Sequence, residues 1–182
     1  MLEIVVPAGE EFNPRTEEFT KFKEQRLQME HSLLSISAWE AKHHKPFLSC
    51  EKSDEEIIDY IRCMTITKGV DPSVYRRLTS QNFQDINNYI GDSMTATWFA
   101  EEEQKEGTVK KKEVITSELI YYYMVAGQIP FSCEKWHINR LLTLIHIYNE
   151  KNKQPEKKDP KNALSRRKAL NAARKAKLKS HG

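Results

Sequence analysis

The most apolar part of the chain reads VITSELIYYYMVAGQIPFSCEKWHINRLLTLIHIYN, which is residues 114–149. Apolar residues recur at helical spacing on both sides of a break at residues 127–130, which contains a glycine and a proline. After the break, Phe131 and Trp136 have the spacing of a hydrophobic staple around a helix that begins at Ser132. We therefore predict an αα-hairpin that forms the centre of the core.

Upstream of this segment, cap signals predict a series of short helices. The Ser-x-x-Glu spacing of a capping box occurs at Ser37 and again at Ser53. Asp71 stands directly before a proline, and Ser80 is the predicted cap of a helix that Gly91 ends. The apolar face after Ser53 consists of Ile57, Ile58, Ile61 and Met64, and the face after Ser80 consists of Phe83, Ile86, Asn87 and Ile90.

The N-terminus has the pattern of strands. Residues 2–6 are mostly β-branched and are followed by a proline, while residues 26–31 alternate between polar and apolar. Residues 8–25 between them are charged and contain Asn13-Pro14, a turn signal. The predicted fold class is therefore mainly α (α+β), with a small N-terminal β-hairpin followed by a compact helical domain.

Charge divides the chain into two parts. Residues 151–182 contain 12 Lys and Arg against 2 acids, a net charge of +10. The whole chain carries +3, so residues 1–150 carry −7. We predict a helical domain over residues 1–150 and a basic flexible tail over residues 151–182. The tail is expected to be disordered or marginally helical when free, and such blocks usually meet an anionic partner.

Composition also limits the class of protein. No apolar run approaches the roughly 18–20 residues that span a bilayer, and the N-terminus has no secretory pattern. The three cysteines, Cys50, Cys63 and Cys133, are odd in number and widely spaced, which favours a reducing compartment over a disulfide framework. We expect a protein that has no membrane contact.

The sequence carries no familiar catalytic motif. Phosphate-binding glycine loops, the nucleophile elbow and His-Glu-x-x-His are all absent. Cys133 and His137 lie one helical turn apart, and His43, His44 and Cys50 are the remaining candidates for a zinc site. The favoured interpretation is that Cys133 is a small buried apolar residue and His137 a partly exposed helix residue. We predict no catalytic site, no metal and no cofactor.

Two groups of residues are candidates for binding a partner. Three consecutive tyrosines on a helix cannot all face inward, so core packing is favoured for most of these aromatics and an interface for at least one. In the tail, basic residues without aromatic neighbours fit either non-specific nucleic-acid binding or an acidic protein surface. The candidates are Tyr121, Tyr122, Tyr123, Trp136, Arg166, Arg167, Lys168, Arg174 and Lys175.

Most of residues 27–175 resembles a known kind of protein. The matching segments are residues 31–48, 59–65, 92–97, 116–124 and 129–143, followed by the basic end. The most specific block is IPFSCEKWHINRLLT, residues 129–143. These segments resemble small proteins from the tail modules of long-tailed bacteriophages and prophages, and in particular tail assembly chaperones.

The resemblance implies a non-enzymatic assembly factor in the host bacterial cytoplasm. Its expected partners are the tape measure protein, which it would coat, and the major tail protein, whose polymerisation it would assist; self-association stays open. Two alternatives also stay open. One is a structural connector or tail component retained in the virion, and the other is a nucleic-acid-binding protein that acts through the basic tail.

Overall fold

The structure is a computed structural model that describes residues 1–13, 17–97, 99, 114–152, 168, 170 and 174. The strands are β1 (Leu2–Val6), β2 (Gly9–Asn13), β3 (Glu18–Phe22) and β4 (Gln25–Met29). The α-helices are α1 (Leu33–His43), α2 (Asp54–Met64), α3 (Ser80–Gly91), α4 (Ser117–Ala126) and α5 (Ile138–Asn152). Two 3-10 helices, Pro72–Arg77 and Phe131–Lys135, complete the described elements. The predicted mainly helical fold with a small N-terminal antiparallel sheet is confirmed.

The chain divides into two compact units, Met1–Ile147 and Tyr148–Gly182. All the strands and the first four α-helices belong to the first unit. In the second unit, the end of α5 is followed by three described residues, Lys168, Leu170 and Arg174, which are helical. The other residues of the predicted tail lie outside the described part of the chain.

The sheet follows the predicted alternation. β1 pairs with β4 in antiparallel register, with Leu2 opposite Met29 and Ile4 opposite Leu27. Because side chains alternate across a strand, one face of this ribbon buries every second residue, including Ile4, Val6 and Leu27. Between the two strands, β2 and β3 form a separate two-stranded ribbon that the charged composition of residues 8–25 did not predict.

Helix α1 begins earlier than the sequence predicted. Its cap is Ser32, which forms a capping box with Ser35, and Ser37 lies inside the helix. A cap residue must be extended, and an isolated antiparallel bridge to His137 pairs the backbone of Ser32 with a distant segment. The predicted cap at Ser37 is therefore wrong, because a long-range contact selects the earlier serine.

The other predicted helix caps agree with the structure to within one residue. Ser53 forms the predicted box with Glu56 at the start of α2. Asp71 accepts a hydrogen bond from the backbone of Ser73, although the helix it caps is a 3-10 helix. The cap of α3 is Thr79, one residue before the predicted Ser80.

Helix α1 is the centre of the core. Its side chains Leu33, Ile36 and Trp39 are fully buried. The helix contacts α2, α4 and the 3-10 helix Phe131–Lys135, and the Trp39 indole N–H donates to the Glu56 carbonyl of α2 at 2.9 Å. The core is therefore built around residues 33–43.

The predicted αα-hairpin of residues 114–149 is corrected. The helix expected at Ser132 is a 3-10 helix, and α5 begins only at Ile138, whose backbone N–H donates to the carbonyl of His31 at 2.7 Å. The predicted staple does not form, since Phe131 is 57% exposed. Trp136 is only partly buried, under the Arg140 guanidinium, 4.3 Å from the ring centroid. Contacts with α1 and the segment before it decide where these helices lie.

A buried carboxylate joins three parts of the first unit. Glu40 Oε1 accepts the backbone N–H of Phe47 at 2.8 Å, and Oε2 accepts the backbone N–H of Ser117 at 2.7 Å. Ser117 is the first residue of α4, where backbone N–H groups have no intrahelical acceptor and an anion is favoured. Glu40 thus holds both the loop after α1 and the start of α4.

We predict that Glu40→Gln lowers the free energy of unfolding by about 2–4 kcal/mol, because one oxygen becomes an NH2 group facing a buried N–H donor. Urea denaturation measures the change. The control is Glu51→Gln at an exposed position, which should change stability by less than about 0.5 kcal/mol. Equal stability of the two variants would contradict the assigned role of Glu40.

Candidate protein-binding site

A cavity of about 440 Å³ opens between α2 and α3. The two apolar helix faces that the sequence predicts meet here, and the apolar part of the lining consists of Phe47, Ile57, Ile58, Ile61, Phe83, Ile86 and Ile90. Ile61 and Ile86 are buried, whereas Ile57 is 38% exposed. The cavity is therefore mainly apolar and accessible from solvent, and its polar lining residues include Lys52, Asp54 and Asn87.

The cavity exists because its two walls rest on different supports. Helix α2 packs chiefly on α1, while α3 packs chiefly on β1. On the α3 side, the Asn82 amide donates to the Val5 carbonyl at 3.1 Å. Apolar side chains that would normally close against each other are thus held apart. The positions of these apolar side chains were predictable from the sequence, but the gap between the two helices was not. The one local sign of a solvent-accessible cavity is Asn87, a polar residue within the apolar face of α3.

Lys52 is placed at the cavity wall by contacts within its own loop. Its ammonium donates to the carbonyls of Phe47 at 2.6 Å and Cys50 at 3.1 Å, and it lies 4.1 Å from the centroid of the Phe47 ring. These contacts satisfy most of its hydrogen-bonding capacity. Lys52 therefore orders the wall of the cavity and places a positive charge there.

The outer edge of α2 is acidic. Glu56 is paired with Lys45 at 2.5 Å, and the hydrogen bond from that ammonium holds the pKa of the Glu56 carboxyl below its usual value. Lys42 likewise lowers the pKa of Asp59. By contrast, Asp54 and Glu55 are exposed and form no ion pair with any residue that the structure describes.

A second depression of about 460 Å³ adjoins the first along α2. The two share Asp54 and Ile58, so they form one elongated surface. We call this surface the α2 groove; its apolar half lies between α2 and α3, and its polar half contains Glu55, Asp59, Arg62 and Arg76.

Behind the cavity lies a buried cluster of polar rings. Tyr60 lines the cavity, and its hydroxyl donates to Nδ1 of His31. His137 donates from Nε2 to the Tyr89 carbonyl at 2.9 Å and accepts the backbone N–H of Asn139 on Nδ1 at 3.3 Å. Both nitrogens of His137 are therefore used by protein groups. The predicted partial exposure of His137 is wrong, since the residue is buried at the bridge to Ser32.

The zinc candidates do not form a site in the described part of the chain. No group of three or more His, Cys, Asp or Glu side chains is placed there to hold a metal ion. Cys133 is buried, as predicted, and His44 is an exposed helix cap. Burial raises the pKa of the Cys63 thiol, which does not favour its reactive thiolate form.

The tyrosines of α4 have three different environments. Tyr121 is partly buried and donates to Glu134 at 3.0 Å, and burial together with this carboxylate raises its pKa to about 12. Tyr122 is 64% exposed and has Val125, also exposed, one turn further along the helix. Tyr123 is partly buried against the core. The sequence predicted that at least one of the three tyrosines faces outward, and Tyr122 does.

The basic candidates belong to the second unit. Lys168 and Arg174 are helical and exposed. Arg166, Arg167 and Lys175 lie outside the described residues. Among the helices described, none is long and apolar enough to cross a membrane.

In comparisons with known proteins, no family model, no curated protein and no solved structure matched this chain. The function is therefore argued from the α2 groove, from the charge distribution and from the resemblance of the sequence segments.

We predict that His31 makes the fold sensitive to acid. Burial lowers the pKa of His31 from 6.5 to about 3, so between these values the unfolded chain takes up a proton that the folded chain does not. As the pH is lowered through this window, the free energy of unfolding should decrease by roughly 4–5 kcal/mol in total, and by about 2–3 kcal/mol at pH 4.5. Above about pH 7 His31 should have no effect on the pH dependence of stability.

The measurement is urea denaturation at pH 7 and pH 4.5. In His31→Asn, whose Oδ1 can accept from Tyr60, the difference between the two pH values should shrink by about 2–3 kcal/mol. The matched control is His44→Asn, because His44 is exposed and has a left-handed backbone that asparagine tolerates. An unchanged pH difference in His31→Asn would contradict the prediction.

Proposed function

We propose that this protein is a non-enzymatic assembly chaperone of a long-tailed bacteriophage, which binds the tape measure protein and assists polymerisation of the tail tube. The observation that carries the proposal is the α2 groove, whose apolar half is open to solvent and supported from behind by the core. Helical clients lay an apolar face into grooves of this kind. The resemblance of residues 129–143 to tail-module proteins supplies the identity of the client.

Two of the polar residues that line the apolar half, Lys52 and Tyr60, favour binding over catalysis. Lys52 is held by two carbonyls, and the Tyr60 hydroxyl donates to a buried histidine. Burial raises the pKa of Tyr60, so that hydroxyl stays protonated at neutral pH. Neither group is free to exchange a proton with a bound molecule.

The division of charge fits a factor that must release its client. Residues 151–182 carry +10, whereas residues 1–150 carry −7. Contacts between exposed charges weaken as the salt concentration rises, and they increase the association rate more than the affinity of the complex. We propose that the protein acts in the host bacterial cytoplasm, where the major tail protein assembles around the coated tape measure protein.

One specific observation favours a second candidate function. The charge of the tail alone is enough for salt-dependent binding to nucleic acid. The folded part has the same sign as the phosphates and would oppose such binding. Nucleic-acid affinity would therefore depend entirely on residues 153–182.

We predict that co-expression with the tape measure protein encoded beside this gene yields a soluble complex, recovered by pull-down. Asn87→Trp should weaken the complex, because Asn87 is exposed and the new ring would enter the cavity. Asn88→Trp is the matched control, since Asn88 is exposed on the same helix and does not line the cavity. Pull-downs without residues 153–182, at low and at high salt, measure how much the tail contributes to binding of the tape measure protein.

A tape measure protein that stays insoluble or unbound would contradict the proposal. Retention on a nucleic-acid column that is lost with residues 153–182 would support the second candidate instead. Detection of the protein in purified particles would favour a structural component of the virion.

A further inference from the structure

Strand β3, the second strand of the β2–β3 ribbon, is exposed along most of its length. Its first four residues are exposed, and only Phe22 is partly buried. Phe19 lies directly opposite Phe12 of β2, with the ring centroids 5.1 Å apart, and is 66% exposed. An isolated two-stranded ribbon is only marginally stable in water, and it becomes more stable when further strands are added.

The outer edge of β3 has no neighbouring strand in the part of the chain that the structure describes. There, β3 pairs with β2 alone, and no other backbone hydrogen bond reaches residues 18–22. The sheet of β1 and β4 differs, since the backbone N–H of Ile66 donates to the Gln28 carbonyl at 2.8 Å on the outer edge of β4. A free row of backbone N–H and C=O groups is a template for another extended strand.

The β2–β3 ribbon contacts the rest of the first unit at its base, through Arg77. The guanidinium lies 4.2 Å from the centroid of the Phe22 ring, and it donates to the Pro7 carbonyl at 3.4 Å. The hydrogen bond from the backbone of Ser73 is the main cause that lowers the pKa of Asp71, and the charge of Arg77 adds to it. No ion pair joins Asp71 and Arg77, however, so among the described residues Arg77 has no carboxylate paired with it.

The two faces of β3 carry different residues. Because side chains alternate along a strand, Glu18 shares a face with Phe22, and therefore with the guanidinium of Arg77. Phe19 and Lys21 lie on the opposite face. One face of the strand is thus acidic at its start and lies beside a cation at its end, whereas the other face is aromatic and basic.

We propose that two copies of this chain associate through the outer edges of their β3 strands, in antiparallel register about a two-fold axis at Thr20. Thr20 is the middle residue of β3, so this register pairs all five residues of the strand with the second copy. The product is a four-stranded sheet in the order β2-β3-β3-β2. Such a contact uses the same surface of both copies and closes as a dimer. The inference goes beyond the proposed function and does not involve the α2 groove.

The charges of β3 are self-complementary in this register. Glu18 lies directly opposite Phe22 of the second copy, on the face where the guanidinium of Arg77 covers that ring. Directly opposite residues of antiparallel strands have Cβ atoms about 4.5–5.5 Å apart, within reach of an ion pair between these long side chains. By the two-fold symmetry, Glu18 and Arg77 of opposite copies meet twice in the dimer.

On the other face, Lys21 lies opposite Phe19 of the second copy. A lysine on an edge strand commonly opposes pairing, but here it meets an aromatic ring, which attracts a cation. Within its own chain Lys21 pairs with Glu10 at 3.4 Å, and because both side chains are exposed this pair contributes little. The two Phe19 rings become diagonal neighbours and extend the pair with Phe12 across the sheet.

The outer edge of β2 does not offer this match. β2 contains two acids and no base, so two copies paired through it would bring like charges together, whereas β3 contains one acid and one base. A strand of another protein would have to place a carboxylate opposite Phe22 and an aromatic ring opposite Lys21. A second copy of β3 has both residues at those positions.

Cross-linking of the full chain tests the register. In Thr20→Cys the two new thiols lie directly opposite each other, whereas in Lys23→Cys they lie three residues on either side of the axis, about 20 Å apart. Both positions are exposed. A short bis-maleimide, which joins adjacent thiols only, should therefore give covalent dimer about tenfold faster in Thr20→Cys than in Lys23→Cys. The unchanged chain measures the background from Cys50, Cys63 and Cys133.

Sedimentation equilibrium of the nuclease-treated full chain tests the charge match. The 21.3 kDa chain should form a reversible and weak dimer, because two five-residue strands bury less area than a standard interface. Glu18→Arg should raise the dissociation constant about tenfold, because it places like charges beside Arg77 of the second copy. The matched control is Glu51→Arg, which makes the same change of charge at an exposed position outside the helices and strands. Circular dichroism checks that each variant is folded.

Equal cross-linking of the two cysteine variants, or a chain that sediments as a monomer throughout, overturns the proposal. So does a dimer that Glu18→Arg leaves intact, because another surface then holds the two copies together. Capture of the tape measure protein by a chain that stays monomeric overturns this inference alone and leaves the proposed function standing. Rapid cross-linking of Thr20→Cys without capture of the tape measure protein does the opposite.

Discussion

The arrangement of the first unit depends on one buried carboxylate. Glu40 lies in the middle of the core around α1 and accepts backbone N–H groups from Phe47 and from Ser117, 77 residues further along the chain. A buried carboxylate must be compensated by such donors, so the loop that carries Phe47 and the first turn of α4 are both fixed relative to α1. Phe47 lines the cavity, and its position therefore follows from the same interaction.

The groove is a consequence of how this core supports its outer helices. Helix α2 is tied to α1 by buried side chains and by the Trp39 indole, whereas α3 is tied to the sheet through Asn82 and the apolar contacts of β1. Two helices with separate supports need not close on each other. Since their side chains are held from behind, the proposed binding of a partner would need little reordering of the groove and would carry a low entropic cost.

The charged residues of α2 lie on two sides of the helix, one with ion pairs and one without. One side carries ion pairs with Lys42 of α1 and with Lys45 in the loop after α1, and these contribute to holding α2 in place. The other side presents Asp54 and Glu55 to solvent. These two acids also stabilise the helix that bears them, since they lie in its first turn near the positive end of the helix dipole. Asp54 and Glu55 thus stabilise α2 and also contribute exposed charge to the groove.

Local sequence determined several of the elements: alternation predicted β1 and β4, Ser53 with Glu56 marked the start of α2, and the faces of α2 and α3 were apparent from helical spacing. These features were predictable because they depend on neighbours within one or two turns. Tertiary structure decided the rest. Ser32 rather than Ser37 caps α1 because His137 pairs with its backbone, and α5 starts at Ile138 because its N–H reaches His31. The groove itself arises from supports distant in sequence, and no local pattern encodes the space between two helices.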